Sequence, residues 1–318
     1  MNQAVANIKA KALELGFTKV GIAKAEELTE EASRLREWLH RGYHATMEWM
    51  ARNVEKRIDP RLVVPNAKSV ICVALNYFTP YRHADEPGTG KISRYAWGDD
   101  YHDLVLEKLA RLWDWMKAEF PDEDGRYYVD TGPMMEKVWA QRAGIGWIGK
   151  HTNLITQDVG SWIFLGELIT TLDLPSDLPA TDHCGTCTLC IEACPTDAIT
   201  QPYVVDSHRC ISYLTIEHRG AIDEQLSAKF DQWIYGCDIC QEVCPWNHKF
   251  ATMSHERAFE PRDGNLHPRL EEWKEMSLEE FRLKFRGSPI KRTKITGLKR
   301  NIEAVLKASQ PTLTPAAG

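Results

Sequence analysis

The chain has 318 residues, of which 43% are hydrophobic and 26% are charged, and its net charge is −6 at pH 7. This length predicts about two domains, each large enough to bury its own core. The composition is ordinary for a soluble globular protein, and no apolar run approaches the roughly 20 residues needed to cross a bilayer, which argues against a membrane protein.

The N-terminal segment "MNQAVANIKAKALELGF" predicts an amphipathic helix rather than a signal peptide. Its apolar residues Val5, Ile8, Ala12 and Leu15 recur at helical spacing, and Gly16 follows as a stop. The segment has no apolar stretch followed by a small-residue cleavage site. We therefore expect a cytoplasmic protein with no membrane partner.

Strand-like and helical segments then alternate as far as about residue 175. The apolar, β-branched or aromatic stretches predict strands: "FTKVGIA", "SVICVALNYF" (69–78), "RYYVDTGP" and "SWIFLGELIT" (161–170). Helices are predicted for "EEASRLREWLHRGY", capped by Thr29, for residues 100–120, and for "MMEKVWAQRAG", stopped by Gly144. This alternation predicts an α/β domain over residues 1–175.

A second region begins after "LDLPSDLPATDHC", where two prolines interrupt the pattern, and we place the domain boundary there. Further on, the segment from Arg282 to Lys307 holds nine Lys or Arg and a single acid, Glu303. Such a run is either the solvated face of a helix or a surface that neutralises a polyanion. The last residues, 308–318, predict a disordered tail.

Eight of the nine cysteines fall into two related motifs. The first is Cys184-x2-Cys187-x2-Cys190-x3-Cys194-Pro195, and the second is Cys210 followed by Cys237-x2-Cys240-x3-Cys244-Pro245. This is the spacing of bacterial-type ferredoxins, in which the last cysteine of each motif binds the cluster of the other motif. In a reducing cytosol, a dense cysteine pattern indicates metal binding rather than disulfides.

The crossover predicts two [4Fe–4S] clusters with four thiolate ligands each. Cluster one is assigned Cys184, Cys187, Cys190 and Cys244, and cluster two is assigned Cys194, Cys210, Cys237 and Cys240. The alternative is a pair of four-cysteine zinc sites, but zinc sites usually pair two CxxC knuckles across a longer loop. Cys72, alone in an apolar strand, is interpreted as a buried inert thiol.

Two such clusters carry single electrons, so the first domain is expected to hold their acceptor. That domain has neither the GxGxxG fingerprint of a Rossmann fold nor a complete P-loop. Its loop "GIGWIGKHTN" has several small residues followed by Lys150, His151 and Asn153. Such a loop could admit a large flat ligand, and the alternative is a tight turn with a solvated Lys-His pair.

Four segments together resemble the epoxyqueuosine reductase family: "KRIDPRLVVPNAKSVI", "RYAWGDDYH", "YYVDTGPMMEKVWAQRAGIGWIGKHTNLI" and "RGSPIKRTKITGLKRN". The resemblance extends from about residue 5 to residue 307 and includes both cysteine motifs. It implies reduction of epoxyqueuosine to queuosine at the wobble base of tRNA, using cobalamin and two [4Fe–4S] clusters. Many members carry a further helical-repeat extension after the basic segment, which this sequence does not continue into.

The resemblance also implies an organisation of mixed α+β or α/β class. An α/β cobalamin-binding catalytic domain (1–175) is followed by a ferredoxin-like domain with both clusters (176–250), a basic helical segment that contacts tRNA (251–307) and the tail. The sequence has no Asp-x-His-x-x-Gly, which agrees with the family in predicting base-off cobalamin. Expected contacts of the corrinoid are Arg57, Tyr95, Asp130, His151, Asn153, Ser212 and Thr215.

Asp130 is the predicted proton donor. It follows the strand "RYYVD" in a turn, and functional residues of α/β sheets collect at the carboxyl edge of the strands. Burial beside a corrin is expected to raise the pKa of its carboxyl group. The alternative from the residues alone is an aspartate that caps a turn, whereas the resemblance matches Asp130 to the family's proposed catalytic acid.

The expected partners are a tRNA that carries epoxyqueuosine and a low-potential electron donor, with the protein as a monomer. Lys291, Arg292 and Lys294 are the predicted phosphate contacts. Two other functions are weighed against this one. A corrinoid reductase of a small molecule would have an export signal and no basic segment, and a non-catalytic electron-transfer subunit would bind no cobalamin.

Overall fold

The computed structural model describes residues 2–84 and 86–309. The α-helices are α1 Asn2–Glu14, α2 Thr29–His40, α3 Glu48–Ala51, α4 Val54–Ile58, α5 Tyr101–Glu119, α6 Glu136–Arg142, α7 Leu189–Glu192, α8 Ile211–Ile216, α9 Glu224–Ser227, α10 Ile239–Glu242, α11 Pro245–Phe250, α12 Leu270–Glu275, α13 Leu278–Lys284 and α14 Lys294–Ala308. The strands are β1 Lys19–Lys24, β2 Ser69–Asn76, β3 Lys91–Ile92, β4 Gly125–Tyr128, β5 Trp147–Ile148, β6 Leu154–Ile155, β7 Ile163–Thr170, β8 Ile199–Gln201, β9 Val204–Val205 and β10 Trp233–Tyr235.

The main sheet has four strands in the order β1-β2-β7-β4, and every neighbouring pair is antiparallel. The predicted helices and strands of this region are present, but alternation along the chain does not determine strand direction. The carboxyl ends of these strands therefore lie at opposite edges of the sheet. The prediction that Asp130 lies at a common carboxyl edge was wrong, because strands share such an edge only in parallel sheets.

Both faces of the sheet are covered, which explains why all eight residues of β2 are buried. Ile71 and Val73 point to one face, where they pack in a core with residues of α1 and α5. Val70 and Cys72 point to the other face and pack with Trp139 of α6. This two-residue alternation is the normal geometry of a strand. The predicted burial of the Cys72 thiol is confirmed.

A third core joins the two halves of the sequence. Strand β3 pairs in parallel with β10, so Lys91 lies opposite Trp233. Ile92 and Trp97 pack in the same core as Leu298 and other apolar residues of α8, β10, α13 and α14. The predicted domain limits at 175 and 250 stay predictions, because this core draws on residues from both sides of the first limit.

Some helix ends differ from the predictions. Thr29 is the first residue of α2 rather than its cap, and Leu28 occupies the cap position without a side-chain hydrogen bond. Asp100 caps α5, where its carboxylate accepts a hydrogen bond from the amide of His102. The predicted tail begins at Ala308, which is still helical, and residues 310–318 lie outside the described residues. In the described part of the chain, none of the helices is both long and apolar enough to cross a membrane.

Candidate functional site

Asp130 lies in the turn between β4 and α6 and has a left-handed backbone, with φ of 57°. A positive φ is uncommon outside glycine, although aspartate tolerates it better than most residues. The amide of Asp130 donates a hydrogen bond to the carboxylate of Glu136 at the start of α6. Its own carboxylate accepts hydrogen bonds from the Tyr101 hydroxyl (3.2 Å) and from Nε2 of His102 (3.3 Å). The turn is therefore held from both sides.

His102 links Asp130 to a second carboxylate. Its Nδ1 lies 2.7 Å from the Asp100 carboxylate, which also forms an ion pair with Nζ of Lys291 at 2.9 Å. Burial disfavours a charge on His102, but the hydrogen bonds to Asp100 and Asp130 outweigh it and raise the pKa of the imidazole to about 9. His102 is thus a cation at neutral pH, and it lies against the proposed acid.

The predicted rise in the pKa of Asp130 beside a bound corrin stays a prediction, and in the protein alone this pKa is lowered. Burial does push the pKa upward, but the hydrogen bond and charge of His102, with the Tyr101 hydroxyl, outweigh it, and the net pKa lies below its ordinary value. The Asp130 side chain is 58% exposed. Burial is nevertheless the largest single influence on its pKa, and we call the region around this partly desolvated carboxylate the recess.

Two glutamates beneath this recess have raised pKa values. Burial is the main cause for both, followed by the charge of Asp130 for Glu136 and by the charge of Glu136 for Glu167. The pKa of Glu136 is raised to about 7. Sequence reasoning did not select either residue, although a glutamate inside the otherwise uncharged strand "IFLGELIT" was a visible signal.

The pKa of Lys137 responds both to the Asp130 turn and to the cysteines. Its ammonium group donates to Oδ1 of Asn153 at 2.9 Å. Desolvation lowers the pKa of Lys137, and the charges of Glu136, Asp130, Cys240 and Cys210 oppose that change. The Lys137 side chain is exposed, and its pKa responds both to the acids of the Asp130 turn and to cysteines assigned to cluster two.

Three of the predicted corrinoid contacts border the same region. Arg57 is buried, and its Nη2 donates to the Trp49 carbonyl at 3.1 Å. Burial lowers the pKa of Arg57, and the charges of Asp130 and Glu136 oppose that change. His151 is buried, and its Nδ1 accepts the amide of Asn153 at 3.1 Å. Within residues 2–84 and 86–309, Nε of Arg57 and Nε2 of His151 have no hydrogen-bond partner. Unpaired buried polar atoms of this kind are costly unless a ligand satisfies them.

The other predicted contacts lie around the second cysteine motif. Tyr95 donates its hydroxyl hydrogen to Tyr235 at 3.2 Å, and its ring lies 6.2 Å from that of Tyr101. The backbone of Ser212 lies at the Cys210 thiol and lowers its pKa, although burial raises that pKa overall. Thr215 is fully buried, and its hydroxyl donates to Ile211 (2.7 Å) and accepts from Gly236 (2.9 Å).

The eight motif cysteines fall into two groups, and the thiols within a group raise one another's pKa. All nine cysteines of the chain lie in the described ranges, and there none forms a disulfide. Burial and then the charges of Cys184, Cys244 and Cys187 raise the pKa of Cys190 to about 11. Burial and then Cys210, Asp238 and Cys194 raise the pKa of Cys240. Cys244 packs with Cys184 of the first motif in a small apolar cluster, and the pKa of Cys240 responds to Cys194 and Cys190 as well as to Cys210.

Buried polar contacts fix both groups of cysteines to the rest of the protein. Lys150 donates to the carbonyls of Gly185 (2.6 Å) and Cys187 (2.9 Å). Asp238 accepts from the Ser93 hydroxyl at 2.5 Å and from the Arg94 amide at 2.7 Å. Lys150 belongs to the glycine-rich loop that could admit a flat ligand. Its ammonium group instead supports the loop of the first motif. Among the described residues, no group of three or more His, Cys, Asp or Glu side chains is placed to hold a single metal ion.

The basic segment forms a short 3-10 helix, Pro289–Thr293, followed by α14. Lys291 pairs with Asp100, as described above, and Arg292 forms a two-pronged pair with Glu217 at 2.9 and 3.1 Å. Both side chains are still more than half exposed. Lys294 is exposed and has a positive φ. This segment thus borders the Asp130 recess through Lys291.

Comparisons with known proteins identify the family of this chain. The chain is 50% identical over 296 residues to the epoxyqueuosine reductase of Cellulophaga algicola, covering 93% of this chain and 96% of that protein. The chain belongs to the epoxyqueuosine reductase family. A second relative, the epoxyqueuosine reductase of Synechocystis sp., is 48% identical over 91% of this chain and the whole of that protein. Enzymes of this family are oxidoreductases, and the predicted family and enzyme class are confirmed.

Family descriptions and solved structures cover the same regions. Residues 57–131 match "Epoxyqueuosine reductase QueG, DUF1730", and residues 183–247 match "4Fe-4S double cluster binding domain". An epoxyqueuosine reductase in complex with an epoxyqueuosine-modified tRNA stem loop superposes with a TM-score of 0.90 at 34% identity, over 96% of this chain and 82% of that one. The Bacillus subtilis epoxyqueuosine reductase, with its catalytic aspartate loop swung out of the active site, gives 0.89 at 32% identity over the same shares.

The ion pair between His102 and Asp130 generates a prediction about pH. Since the pKa of His102 is raised from 6.5 to about 9, its contribution to stability is complete below pH 6.5 and is lost as the pH rises through about 9. We expect NMR titration of the imidazole to give a pKa near 9, and a lower value in Asp130→Asn. Comparison with His102→Gln identifies the signal, and a pKa at or below 6.5 would contradict the geometry.

Proposed function

We propose that the protein reduces epoxyqueuosine to queuosine at the wobble position of tRNA. The reaction removes the epoxide oxygen and takes up two electrons and two protons, and water leaves. The observation that carries this proposal is the Asp130 carboxylate, which accepts hydrogen bonds from Tyr101 and His102 in a chain that also holds the cysteines of a double-cluster domain. A proton-donating pair and two sets of cluster ligands suit a reaction that consumes protons and electrons.

Two [4Fe–4S] clusters would supply the electrons. Residues 183–247, which match a double-cluster domain, contain all eight motif cysteines. The grouping of Cys244 with Cys184, Cys187 and Cys190 supports the crossed assignment for cluster one. The grouping of Cys210 with Cys194, and of Cys237 with Cys240, supports cluster two. A low-potential donor would load the clusters.

Base-off cobalamin is the proposed acceptor in the recess. When bound, it would supply a cobalt centre that accepts single electrons and delivers them to the epoxide carbon. The residues present fit such a group, because the unpaired Nε of Arg57 and Nε2 of His151 offer polar contacts at the border of the recess. Burial lowers the pKa of His151 to about 4, with Lys137 adding to the effect, so the imidazole stays neutral. Asn153, Tyr95, Ser212 and Thr215 complete the proposed surroundings.

Asp130 would deliver a proton to the departing epoxide oxygen. In the protein alone its carboxyl group is ionised, but the His102 imidazolium lies 3.3 Å away and carries a proton at neutral pH. The pair therefore holds one transferable proton, which passes to Asp130 when negative charge develops on the substrate. This arrangement serves general acid catalysis without the raised aspartate pKa that the sequence suggested.

The tRNA would lie across the basic segment. A relative binds an epoxyqueuosine-modified stem loop, and the salt bridge from Lys291 to Asp100 places this segment next to the recess. Enzymes that act on a base take it out of its stack, so the wobble nucleoside would turn into the recess while its phosphates stay outside. We keep the division into 1–175, 176–250 and 251–307, and the monomeric state, as parts of this proposal.

Anaerobic purification followed by a UV–visible spectrum and metal analysis tests the proposal as a whole. We expect iron–sulfur and corrin bands together, with about eight irons and eight acid-labile sulfides per chain. Cobalamin-free protein with full turnover would refute the cobalamin part, and reduction of a small epoxide with no tRNA requirement would favour a small-molecule reductase.

Replacing one crossing cysteine distinguishes the cluster assignments. In Cys244→Ala we expect cluster one to be damaged although this residue follows the cluster-two ligands in sequence, whereas Cys194→Ala should damage cluster two. Electron paramagnetic resonance of the reduced proteins separates the two signals. Cys72→Ala is the matched control and should keep both clusters. Loss of only cluster two in Cys244→Ala would show that the ligands do not cross.

The basic segment is tested by changing Lys291, Arg292 and Lys294 to Ala. We expect weaker tRNA binding and a flatter dependence of affinity on salt, because fewer phosphate counterions are released. Binding rather than turnover is measured, since Lys291 also contacts Asp100. The control changes Lys24, Arg34 and Arg111, which are exposed on the N-terminal part. Equal affinities of the two triple variants across a salt series would refute the role.

The proton-donor role is tested by Asp130→Ala. We expect both clusters and cobalamin to be retained and turnover to fall by roughly a hundredfold or more, the lower range of general-acid contributions. Asp114→Ala, an exposed acid on α5, is the control and should behave as the unmodified enzyme. Near-normal turnover of Asp130→Ala with its cofactors in place would remove Asp130 from the mechanism.

A further inference from the structure

Glu167 is a carboxyl group inside the protein that the reaction described above does not use. It lies in the middle of β7, opposite Cys72 of β2 and Tyr128 of β4, and its exposed fraction is 0%. Neither of its oxygens has a hydrogen-bond donor among the residues that the structure describes. An ionised carboxylate in such a place costs several kcal/mol, whereas a protonated one can itself donate.

The acceptor for that proton is Glu136. Glu167 lies opposite Cys72, whose side chain packs on the face of the sheet that α6 covers, and Glu136 is the first residue of α6, so the two carboxyl groups are neighbours on this face. Burial first, and then the neighbouring Glu136, raise the pKa of Glu167. Both are acceptors when ionised, so the contact requires a proton between them. The other titratable groups that face the pair are Cys72 on β2, Asp130 in its turn, and Lys137 on α6, with Arg57 on α4 facing Glu136. Of these, the two cations, Lys137 and Arg57, influence Glu136 and not Glu167.

We propose that Glu167 is a protonated acid that donates a hydrogen bond to Glu136, and that this carboxyl pair fastens the catalytic turn. The chain of contacts runs from Glu167 to Glu136 and from Glu136 to the amide of Asp130. The fastening holds Asp130 in its left-handed conformation, which an isolated aspartate would leave readily. This inference rests on the proposed role of Asp130, and it assigns Glu167 as a positioning residue.

The turn needs such a fastening because it can move in a relative. In the Bacillus subtilis enzyme, the loop with the catalytic aspartate is swung out of the active site. A swing of that kind in this protein would break the hydrogen bond from the Asp130 amide to Glu136. A neutral Glu167 keeps Glu136 oriented, and it also avoids two adjacent negative charges beneath the turn. The turn then returns to one defined position.

The protonation state is tested by infrared spectroscopy on the protein without substrate. At about pH 8.5, far above the ordinary carboxyl pKa, we expect the C=O band of a protonated carboxylic acid, absent in Glu167→Gln. The control Glu107→Gln changes an exposed glutamate of α5 and should keep the band. If the band is missing in the unmodified protein, or persists in Glu167→Gln, the proposal is overturned.

The positioning role is tested by comparing Glu167→Gln with Glu167→Leu. The amide can still donate to Glu136, so kcat should stay within about threefold, while the leucine leaves Glu136 without a donor and should lower kcat by about tenfold or more. KM and cofactor content should change little in either variant. Equal kcat for the two variants would overturn the role. If Glu167→Leu does not fold, a Glu167→Gln enzyme with kcat reduced as in Asp130→Ala overturns it instead.

The two experiments separate this inference from the function on which it rests. The infrared band is measured without tRNA, cobalamin or turnover. A protein that shows the band but does not reduce epoxyqueuosine contradicts the proposed function and leaves the protonated pair supported. A protein that turns over normally without the band contradicts the pair and leaves the proposed function intact.

Discussion

The hydrogen bonds from Ser93 and Arg94 to the Asp238 carboxylate are the interaction on which the rest of the site depends. Asp238 lies between Cys237 and Cys240 and is 1% exposed, and burial raises its pKa against the pull of these partners. Arg94 is itself buried, and its guanidinium group lies 4.4 Å from the ring centroid of Trp97. A buried carboxylate that loses such donors is left unsatisfied, which is strongly destabilising, so these two hydrogen bonds form a firm junction. It therefore fixes the second cysteine motif to the segment that precedes α5.

A second junction does the same for the other end of that motif. The side chain of Asn247 accepts the amide of Ser161 at 2.6 Å, and Gln241 donates to the Ser161 carbonyl at 3.1 Å. Ser161 stands just before β7, the strand that carries Glu167. The two junctions join the second cysteine motif to the segments that precede α5 and β7. Both depend on buried hydrogen bonds between residues that are far apart in the sequence.

The sequence predicts some parts of this site well because their information is local. Cysteine spacing is set by the cluster that the thiolates hold, so the pattern identifies the region without knowledge of the fold. The strands and long helices are likewise predicted from periodicity, and β2 and α5 lie close to their expected limits. Asp130 was selected for its position in a turn and by resemblance, yet the sheet-edge reason was wrong because the sheet is antiparallel.

The missing parts depend on contacts between distant segments. No local pattern shows that His102 will reach Asp130, or that Glu136 and Glu167 will meet across a helix and a sheet. The pKa of Asp130 is the balance of desolvation against those neighbours, so its direction requires their positions. Strand direction is set by connections in three dimensions, and alternation of helices and strands is compatible with either direction. A lone acid in an apolar strand is the one such clue that sequence alone offers.

The parallel pairing of β3 with β10 has a consequence for the synthesis of the chain. Ribosomes produce the protein from its N-terminus, so Ile92 and Trp97 emerge well before Trp233, and α14 follows last. Until then, these apolar side chains have no core to enter, and parallel pairing between distant segments forms slowly. During synthesis, the first half of the nascent chain therefore exposes apolar surface that is prone to aggregation. Chaperones that bind such surface would protect the chain until α14 is made.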